Sequence, residues 1–334
     1  MLKVVQIFRK ANPAFFSIEK VFSIIEPQLG NEIKIDKVSL PRNSSGAGAV
    51  YKNIQFLRQK KQPGAIYHIT GDVHYAVLAF KRRTVLLTIH DCVFLYAASG
   101  FKRTVLKWLF LDMPVKRAAA VTTISDFSRQ EIIRFTGCNP EKITVIPNPV
   151  NNAISFTERP FNQAKPRIFF IGTTPNKNLE RAATALNGLD CHLCILGKLT
   201  PGQEQLLHDN GIEFSVFHGV TETALAELYA ASDIVLFPST FEGFGLPVLE
   251  GQKAGRVVVT SNIAPMKTVA GEGAILVDPY STTDIRRGVE AAIKDQTLRH
   301  NVIQQGFVNI RAYSIEATAQ SYAREYRKIA EQIK

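Results

Sequence analysis

The sequence lacks several features that would place it in a large class of proteins. It has no run of about 18 apolar residues, so it predicts no membrane-spanning helix. The stretch up to Lys10 lacks the long apolar core of a secretory signal, and we therefore expect a cytoplasmic location. The GxxxxGK(S/T), GxSxG and HExxH patterns are missing. Nothing here indicates a P-loop NTPase, a nucleophile-elbow hydrolase or a zinc protease.

Cysteine is also scarce, with four residues in a chain of 334: Cys92, Cys138, Cys191 and Cys194. So few scattered cysteines do not form a disulfide framework in a chain of this length. Cys191 and Cys194 make a CxxC, but the residues around them favour a buried strand, on which positions three apart point to opposite faces. We interpret both as core thiols.

Charge is distributed unevenly along the chain, whose formal net charge is +11. Residues 1–150 contain 22 Lys and Arg against 10 Asp and Glu, whereas the remainder is close to neutral. Such a bias favours an anionic partner of the first half, such as a membrane surface, a phosphorylated substrate or nucleic acid. Solvated surface lysines without a partner explain it equally well.

Short β-rich segments alternate with amphipathic ones along almost the whole chain, which predicts an α/β fold with parallel sheets. Six strand candidates precede a proline- and asparagine-rich segment at residues 146–152, and six more begin at Arg167. We therefore predict a first domain at residues 1–150, a second at 151–312 and a terminal helix at 313–334. In open α/β sheets, ligands bind beyond the carboxyl ends of the strands.

The most informative segment is residues 233–250, which predicts a buried strand, a glycine-rich loop and a helix that begins near Pro247. The loop N–H groups would converge on the helix N-terminus, which is an anion site. Glu242 and Glu250 flank that site and, because like charges repel, should accept hydrogen bonds from hydroxyls on either side of a phosphate. A sugar nucleotide has this form. We therefore predict donor binding by Gly243, Phe244, Gly245 and Leu246.

This segment resembles a known family. The sequence FPSTFEGFGLPVLEGQKAG is similar to glycosyltransferase family 4, and Glu242 and Glu250 have the spacing of the EX7E motif of retaining glycosyltransferases of the GT-B fold. The resemblance implies that Glu242 contacts the transferred sugar and that Glu250 binds the ribose hydroxyls. It also implies two Rossmann-like domains that face each other across a cleft, with a C-terminal helix that crosses back to the first domain.

Residues 167–179 form a second predicted donor-binding element, a strand followed by a glycine turn and a helix start. Lys177 can neutralise a diphosphate there, and Gly172, Thr173 and Asn178 are its neighbours in the turn. The resemblance implies the same role for Lys177. Many family members have an arginine soon after the glycine, where this chain has Thr173 and Thr174, so a second cation is not assigned. Taken alone, the segment also fits an ordinary βα turn.

A third donor element is the turn His218, Gly219 and Val220, which precedes the helix before the glutamate loop. The resemblance implies that the nucleotide base lies near this turn. A histidine packed against its neighbours is the alternative interpretation of His218.

In the first domain, polar residues follow predicted strands. A histidine at the carboxyl end of a strand faces the cleft in this architecture, and the resemblance implies that His90 lies next to the sugar and its phosphate. Asp91 follows directly, and His68 and Asp72 lie at another strand exit. We expect these residues and Ser125 on the acceptor side. Helix capping by Ser125, and a structural role for the strand exit at His68, remain alternatives.

The resemblance implies a retaining, metal-independent transfer in which Glu242, His90 and Lys177 are the catalytic residues. The acceptor would attack the front face of the sugar, and the departing phosphate would take the proton. No Asp-x-Asp pair occurs, so a metal clamp has no support in the sequence, and we expect no metal and no other cofactor. The expected donor is a UDP- or GDP-linked hexose and the expected acceptor a glycan or a lipid-linked molecule.

Two other classes remain open. A sugar-nucleotide epimerase of the same fold would consume the donor without an acceptor. A non-catalytic nucleic-acid-binding protein would explain the positive charge, but the basic residues lack the interleaved aromatics of a stacking surface, so nucleic acid is not an expected partner.

Residues 101–117 are basic and amphipathic and contain Trp108, the single tryptophan. Such a segment suits peripheral contact with an anionic membrane, here the inner face of the membrane, or packing of its apolar side on the first sheet.

Overall fold

The computed structural model describes residues 1–10, 17–42, 46–96 and 98–333. Lys334, the last residue of the predicted terminal helix, lies outside this range. The strands are β1 (Leu2–Phe8), β2 (Ile33–Ser39), β3 (Ile66–Ile69), β4 (Val85–Ile89), β5 (Ala120–Thr123), β6 (Ile143–Val145), β7 (Arg167–Ile171), β8 (His192–Leu196), β9 (Glu213–Phe217), β10 (Ile234–Phe237), β11 (Val257–Ser261) and β12 (Ile275–Val277).

The helices are α1 (Ser17–Ile25), α2 (Ala47–Gln59), α3 (Val93–Tyr96), α4 (Gly100–Lys107), α5 (Met113–Arg117), α6 (Asp126–Thr136), α7 (Leu179–Leu186), α8 (Pro201–Asp209), α9 (Glu222–Ala230), α10 (Leu246–Lys253), α11 (Met266–Ala270), α12 (Thr282–Lys294), α13 (Gln296–Asn309) and α14 (Ile315–Ile333). A π-helical segment, Trp108–Asp112, joins α4 to α5. None of the described helices is both long and apolar enough to span a bilayer.

The chain forms two compact units, which we describe separately. The first consists of Met1–Pro149 together with Ile315–Lys334, and the second of Val150–Ser314. In the described part of the first unit, six parallel strands form one sheet in the order β2-β1-β3-β4-β5-β6. Strands β3 and β4 are buried along their whole length because helices cover both faces of the sheet.

Helix α14 covers one face of the first sheet, although it is distant from that sheet in the chain. Its buried side chains recur at three- and four-residue spacing and pack with α1, β1, β3 and β4: Ile315, Ala319, Tyr322, Tyr326 and Ile329. Fully burying a large apolar side chain contributes about 1.5–3 kcal/mol, so this one face supplies much of the core of the unit.

The second unit repeats the architecture with six parallel strands, within its described residues, in the order β12-β11-β10-β7-β8-β9. The predicted α/β fold with two parallel sheets is therefore confirmed. The order of the strands reverses between β7 and β10, so the chain leaves these two neighbours in opposite directions and opens a crevice at their carboxyl ends. The corresponding reversal in the first sheet lies between β1 and β3. Cys191 and Cys194 are buried, as predicted for core thiols.

Candidate active site

The turn after β7 is shaped by Gly172, whose φ is +89°. A Cβ atom at this position would lie 2.8 Å from Cγ and 2.9 Å from Cε of Lys177. The absence of a side chain therefore lets the stem of Lys177 cross the turn closely. The turn continues through a 3₁₀ segment, Pro175–Lys177, before α7 begins.

Lys177 forms an ion pair with Glu242, with 2.5 Å between Nζ and Oε1. The two side chains are only 19% and 15% exposed. The ammonium group also lies 4.8 Å from the centroid of the Phe237 ring, at the end of β10. Two segments that the sequence predicted independently, 65 residues apart, thus meet at the strand reversal between β7 and β10.

Asn176 fastens the two turns to each other through both its side chain and its backbone. Its Nδ2 donates to the carbonyl of Phe241 at 2.9 Å and lies 3.4 Å from Oε1 of Glu242. The N–H of Thr240 donates to the carbonyl of Asn176 at 2.8 Å. The relative position of Lys177 and Glu242 is therefore fixed by backbone contacts as well as by their own ion pair.

The glycine-rich loop leads into α10 as predicted. Gly245 is the N-cap residue, with a φ of +102°, and Leu246 and Pro247 begin the helix. N–H groups in a first helical turn can bind an anion where they have no intrahelical acceptor. In α10, Pro247 has no N–H and that of Val248 donates to the carbonyl of Gly245 at 3.0 Å, which leaves Leu246 as the first helical residue with an N–H to offer. Phe244 is 5% exposed and its ring packs edge-on against Tyr313 with centroids 5.9 Å apart. The Phe244 side chain therefore anchors the loop, and its contribution to a ligand is limited to backbone.

Helix α10 also positions Glu250, whose Oε2 accepts a hydrogen bond of 2.7 Å from the hydroxyl of Tyr229. Tyr229, on α9, is fully buried and packs perpendicular to Phe169 of β7. Burial, followed by the charge of Glu250, raises the pKa of Tyr229 well above its usual value, so the hydroxyl stays protonated and remains a donor. Sequence analysis missed Tyr229, because an aromatic residue near the end of an amphipathic helix is indistinguishable from an ordinary core residue.

Two predicted donor-binding side chains hold the turns together instead. Asn178 is 1% exposed and has a φ of +69°. Its Nδ2 donates to the carbonyls of Pro238 at 3.0 Å and Pro279 at 2.7 Å. Its Oδ1 accepts a hydrogen bond of 2.9 Å from Arg181. Its amide hydrogens are therefore both engaged. The hydroxyl of Thr173 donates to the carbonyl of Lys198 at 2.7 Å, which ties the turn after β7 to the turn after β8.

His218, Gly219 and Val220 follow β9, at the edge of the second sheet and two strands away from β7. His218 is exposed. The described contacts do not bring this turn to Lys177 or Glu242. Two strand spacings, roughly 10 Å, separate it from the turn after β7 at the same edge of the sheet.

In the first unit, the carboxyl ends of β3 and β4 border a cavity of about 350 Å³. His90 lies in it, and its Nε2 must donate to the carbonyl of Thr70 at 2.8 Å, because a carbonyl only accepts. Nδ1 is the ring nitrogen that this bond leaves for other partners. Gly71 permits this position: a Cβ there would lie 2.7 Å from Cδ2 of His90. Asp72 and Asp91, both predicted, also line the cavity.

Two residues that sequence analysis did not assign, His74 and Arg9, complete this region. His74 is 4% exposed and its Nδ1 donates to the carbonyl of Phe110 at 2.6 Å; burial lowers its pKa. Arg9, after β1, forms ion pairs with Asp72 at 2.5 Å and Glu19 at 3.1 Å. Its position beside the strand reversal between β1 and β3 is the signal that could have identified it.

His68 and Ser125 do not reach the cavity, which corrects the prediction for both. His68 is fully buried on the opposite face of the sheet, with Nδ1 2.8 Å from the hydroxyl of Tyr326 and Nε2 2.7 Å from that of Thr88. Burial lowers its pKa to about 3. Ser125 caps α6 by accepting from the N–H of Ser128 at 3.1 Å, so the alternative reading of this residue is the correct one.

Comparison with known proteins agrees with this geometry. A family model described as "Glycosyl transferases group 1" matches residues 152–308, and one described as "Glycosyltransferase Family 4" matches residues 21–153. Together they cover most of both units. The chain belongs to the family 4 glycosyltransferases. Among the described residues of this glycosyltransferase, no group of three or more His, Cys, Asp or Glu side chains could hold a metal ion.

Individual relatives are distant. The chain is 25% identical to the O-antigen chain mannosyltransferase B of Escherichia coli over 274 residues, which is 75% of this chain and 71% of the relative. It is 27% identical to the serotype-specific mannosyltransferase WbdA of Escherichia coli over 61% of this chain, but spans only 28% of that longer protein. The structure of Anabaena HepE in complex with UDP and glucose superimposes with a TM-score of 0.76 at 14% identity, covering 98% of this chain and all of HepE. The predicted GT-B fold is confirmed.

Proposed function

We propose that this family 4 glycosyltransferase transfers a hexose from a nucleoside-diphosphate sugar to a glycan or lipid-linked acceptor, with retention at the anomeric carbon and without a metal ion. The observation that carries the proposal is the ion pair between Lys177 and Glu242 at the strand reversal of the second sheet. Glu242 lies four residues before the start of α10. A cation, a helix N-terminus and two carboxylates match a ligand with a diphosphate between two hydroxylated rings.

On the donor, Lys177 and the first N–H groups of α10 bind the diphosphate, Glu242 the sugar and Glu250 the ribose. The diphosphate competes with Glu242 for Lys177. When Lys177 turns towards the phosphate, an oxygen of Glu242 becomes available to a sugar hydroxyl, so binding of the two parts of the donor is coupled. The exposed turn at His218 lies two strand spacings from the turn that holds Lys177, a separation that suits a nucleotide base attached to the diphosphate through its ribose.

The acceptor oxygen forms its bond to the anomeric carbon on the face from which the donor phosphate leaves. The bond between that carbon and the phosphate oxygen breaks, its electron pair passes to the phosphate oxygen, and that oxygen takes the acceptor proton. Lys177 and the α10 N–H groups stabilise the charge that develops on the departing diphosphate. Asn176 holds these groups in place beforehand, so little reorganisation accompanies the reaction.

The cavity of the first unit suits the acceptor. Carboxylates of Asp72 and Asp91 accept hydrogen bonds from hydroxyls, and Phe94 and Phe110 offer apolar surface to a sugar ring. Nδ1 of His90, which the bond to Thr70 does not use, forms a hydrogen bond with a further hydroxyl of the acceptor sugar.

The identity of the donor is inferred from the relatives. Several of the relatives are named mannosyltransferases, and the HepE structure is a complex with UDP and glucose. We therefore take GDP-mannose and UDP-glucose as the first donors to test.

We also propose that the protein acts in the cytoplasm at an anionic membrane surface. Helix α4 and the segment after it expose Phe101 (84%), Val105 (42%) and Trp108 (58%), spaced four and three residues apart on one helical face. Lys102 and Arg103 flank that face and are exposed. Such a face inserts at the interface of anionic bilayers. Co-sedimentation with vesicles of phosphatidylglycerol, but not of phosphatidylcholine alone, is expected and should weaken as salt rises. Equal binding to both would refute it.

Ligand-dependent melting tests the donor site. One of the two sugar nucleotides should raise the melting temperature of the wild type through mass action. Glu250→Gln should lose most of this shift, whereas Glu204→Gln, which alters an exposed glutamate on α8, should keep it. No shift with either nucleotide, or an unchanged shift in Glu250→Gln, would contradict the proposed donor site. Product NMR then gives the anomeric configuration, and activity in EDTA tests metal independence.

A further inference from the structure

We propose that the first unit has a phosphate-binding site at the amino ends of β4 and β6, formed by Arg82, Lys116 and Lys142. This site lies at the opposite edge of the sheet from the acceptor cavity. Arg82 precedes β4 and Lys142 precedes β6, whereas the acceptor cavity is bordered by residues that follow β3 and β4. The inference goes beyond the proposed transfer reaction and does not depend on it.

The three cations line a cavity of about 480 Å³. Its wall includes the half-buried Lys107, Asp112 and Cys138. The cavity therefore offers a concave basic surface with enough room for a phosphate group and part of the molecule that carries it.

Arg82 and Lys142 converge on one backbone atom, the carbonyl oxygen of Lys116 at the end of α5. Nη2 of Arg82 donates to this oxygen at 2.7 Å and Nζ of Lys142 at 3.3 Å. The two positive groups are thus no farther apart than the sum of these distances. Each retains further N–H donors, because a guanidinium has five and an ammonium three.

No carboxylate in the described part of the chain forms an ion pair with Arg82, Lys116 or Lys142. The one acid in the cavity wall, Asp112, is paired with Lys107 at 2.7 Å. Burial and the nearby charge of Arg82 lower the pKa of Lys142, so the cluster is electrostatically unfavourable in the absence of an anion.

A phosphate monoester or diester fits this set better than a carboxylate does. The guanidinium binds two phosphate oxygens in parallel, while two ammonium groups approach the others as point charges. The group can come from a soluble phosphate compound or from a lipid headgroup. The second source is available because Lys107, in the cavity wall, ends α4, the helix that exposes Phe101.

Cys138 provides a reporter confined to this cavity. The other three cysteines are buried, at 3%, 4% and 1% exposure, so a neutral alkylating reagent should reach Cys138 first. We would measure the rate of its alkylation by iodoacetamide, located by peptide mass spectrometry, against inorganic phosphate in sodium chloride of constant ionic strength. A second arm uses phosphatidylcholine vesicles with and without phosphatidic acid. Neither arm needs a sugar nucleotide or an acceptor.

Saturating phosphate should slow the alkylation at least about fivefold. The double variant Arg82→Gln with Lys142→Gln should raise the phosphate concentration that gives half of this protection at least about tenfold. Lys116→Gln keeps every backbone contact and should weaken it without affecting folding. Lys52→Gln, an exposed lysine on α2, is the charge-matched control and should behave as wild type. Protection by inorganic phosphate assigns a soluble ligand, and protection by phosphatidic acid vesicles alone assigns a headgroup. No protection in either arm, or equal protection in the Lys116→Gln variant, would overturn the proposal.

Discussion

Substitution of Gly172 tests whether the turn after β7 matters through the position of Lys177. In Gly172→Ala, a φ of +89° costs about 1–2 kcal/mol for an L residue. The new Cβ would also come within 2.8 Å of Cγ and 2.9 Å of Cε of Lys177, so the lysine must leave the turn and its ion pair with Glu242. A hydrogen bond to a charged group is worth about 1.5–3 kcal/mol, which predicts a fall in kcat/KM of roughly 10- to 150-fold.

Gly188→Ala separates the two effects. Gly188 also has a positive φ, +71°, but a Cβ there would meet nothing within 4 Å. Both variants should lower the free energy of unfolding in urea through the cost of the positive φ, and Gly172→Ala should lower it further through the loss of the ion pair. Only Gly172→Ala should lower kcat/KM for the donor. Lys177→Ala gives the largest fall in kcat/KM that loss of the lysine can cause. Wild-type kcat/KM in Gly172→Ala, at the stability of Gly188→Ala, would refute the argument that this glycine acts through the lysine.

Three further predictions concern single side chains. Gly71→Ala should displace His90 and raise the KM for the acceptor, with the donor KM unchanged, in steady-state kinetics. Tyr229→Phe should raise the donor KM about five- to tenfold, because Glu250 loses a hydrogen bond worth about 1 kcal/mol. His68 has a folded pKa of about 3 against about 6.5 unfolded, so the unfolded chain binds more protons between these values and stability falls as the pH falls. The contribution of His68 to this slope approaches about 1.4 kcal/mol per pH unit below pH 6.5 and should be lost in His68→Gln, whereas the contribution of His74, whose pKa burial also lowers, should remain. Urea unfolding followed by tryptophan fluorescence measures both slopes.

Controls for these variants come from the same unit or the same side chain. Gly64→Ala also places an alanine at a positive φ, +69° against +148° at Gly71, but with open space around it, and should leave the acceptor KM unchanged. For Tyr229, an unchanged donor KM in the phenylalanine variant would show that the hydroxyl does not orient Glu250. For His68, an identical pH slope between pH 7 and 5.5 in wild type and His68→Gln would contradict the buried neutral histidine, because few carboxylates titrate in that range.

Sequence analysis found the site residues that lie in turns at the carboxyl ends of strands. Lys177 was predicted because it follows a strand and a glycine turn. Glu242 was predicted because it follows a strand, precedes the glycine-rich loop and has the spacing of the EX7E motif, and parallel strands place such turns at one edge. Their direct ion pair was not predicted, because spacing along the chain does not give the order of strands in the sheet. Tyr229 was missed for a related reason: its partner Glu250 belongs to a different helix, and only packing brings them together.

Two side chains differ from their predicted roles, each for its own reason. His68 lies on a strand, where neighbouring side chains alternate between faces, and the sequence alone did not show which face α14 covers. Asn178 has the composition of a polar ligand-binding residue, yet its left-handed backbone and three side-chain hydrogen bonds make it a brace between loops. A polar residue near a strand end can therefore be placed in a turn from the sequence, but whether its side chain is available to a ligand depends on its hydrogen bonds in the fold.

The membership of α14 in the first unit has a consequence for synthesis on the ribosome. His68 needs Tyr326, 258 positions downstream, to complete its surroundings. Because Val150–Ser314 is continuous, that unit can fold while the earlier-made half still exposes one apolar face of its sheet. The first unit therefore begins to be translated first but completes its fold last, when α14 is available. We expect chaperones to bind nascent chains until about residue 333 has emerged.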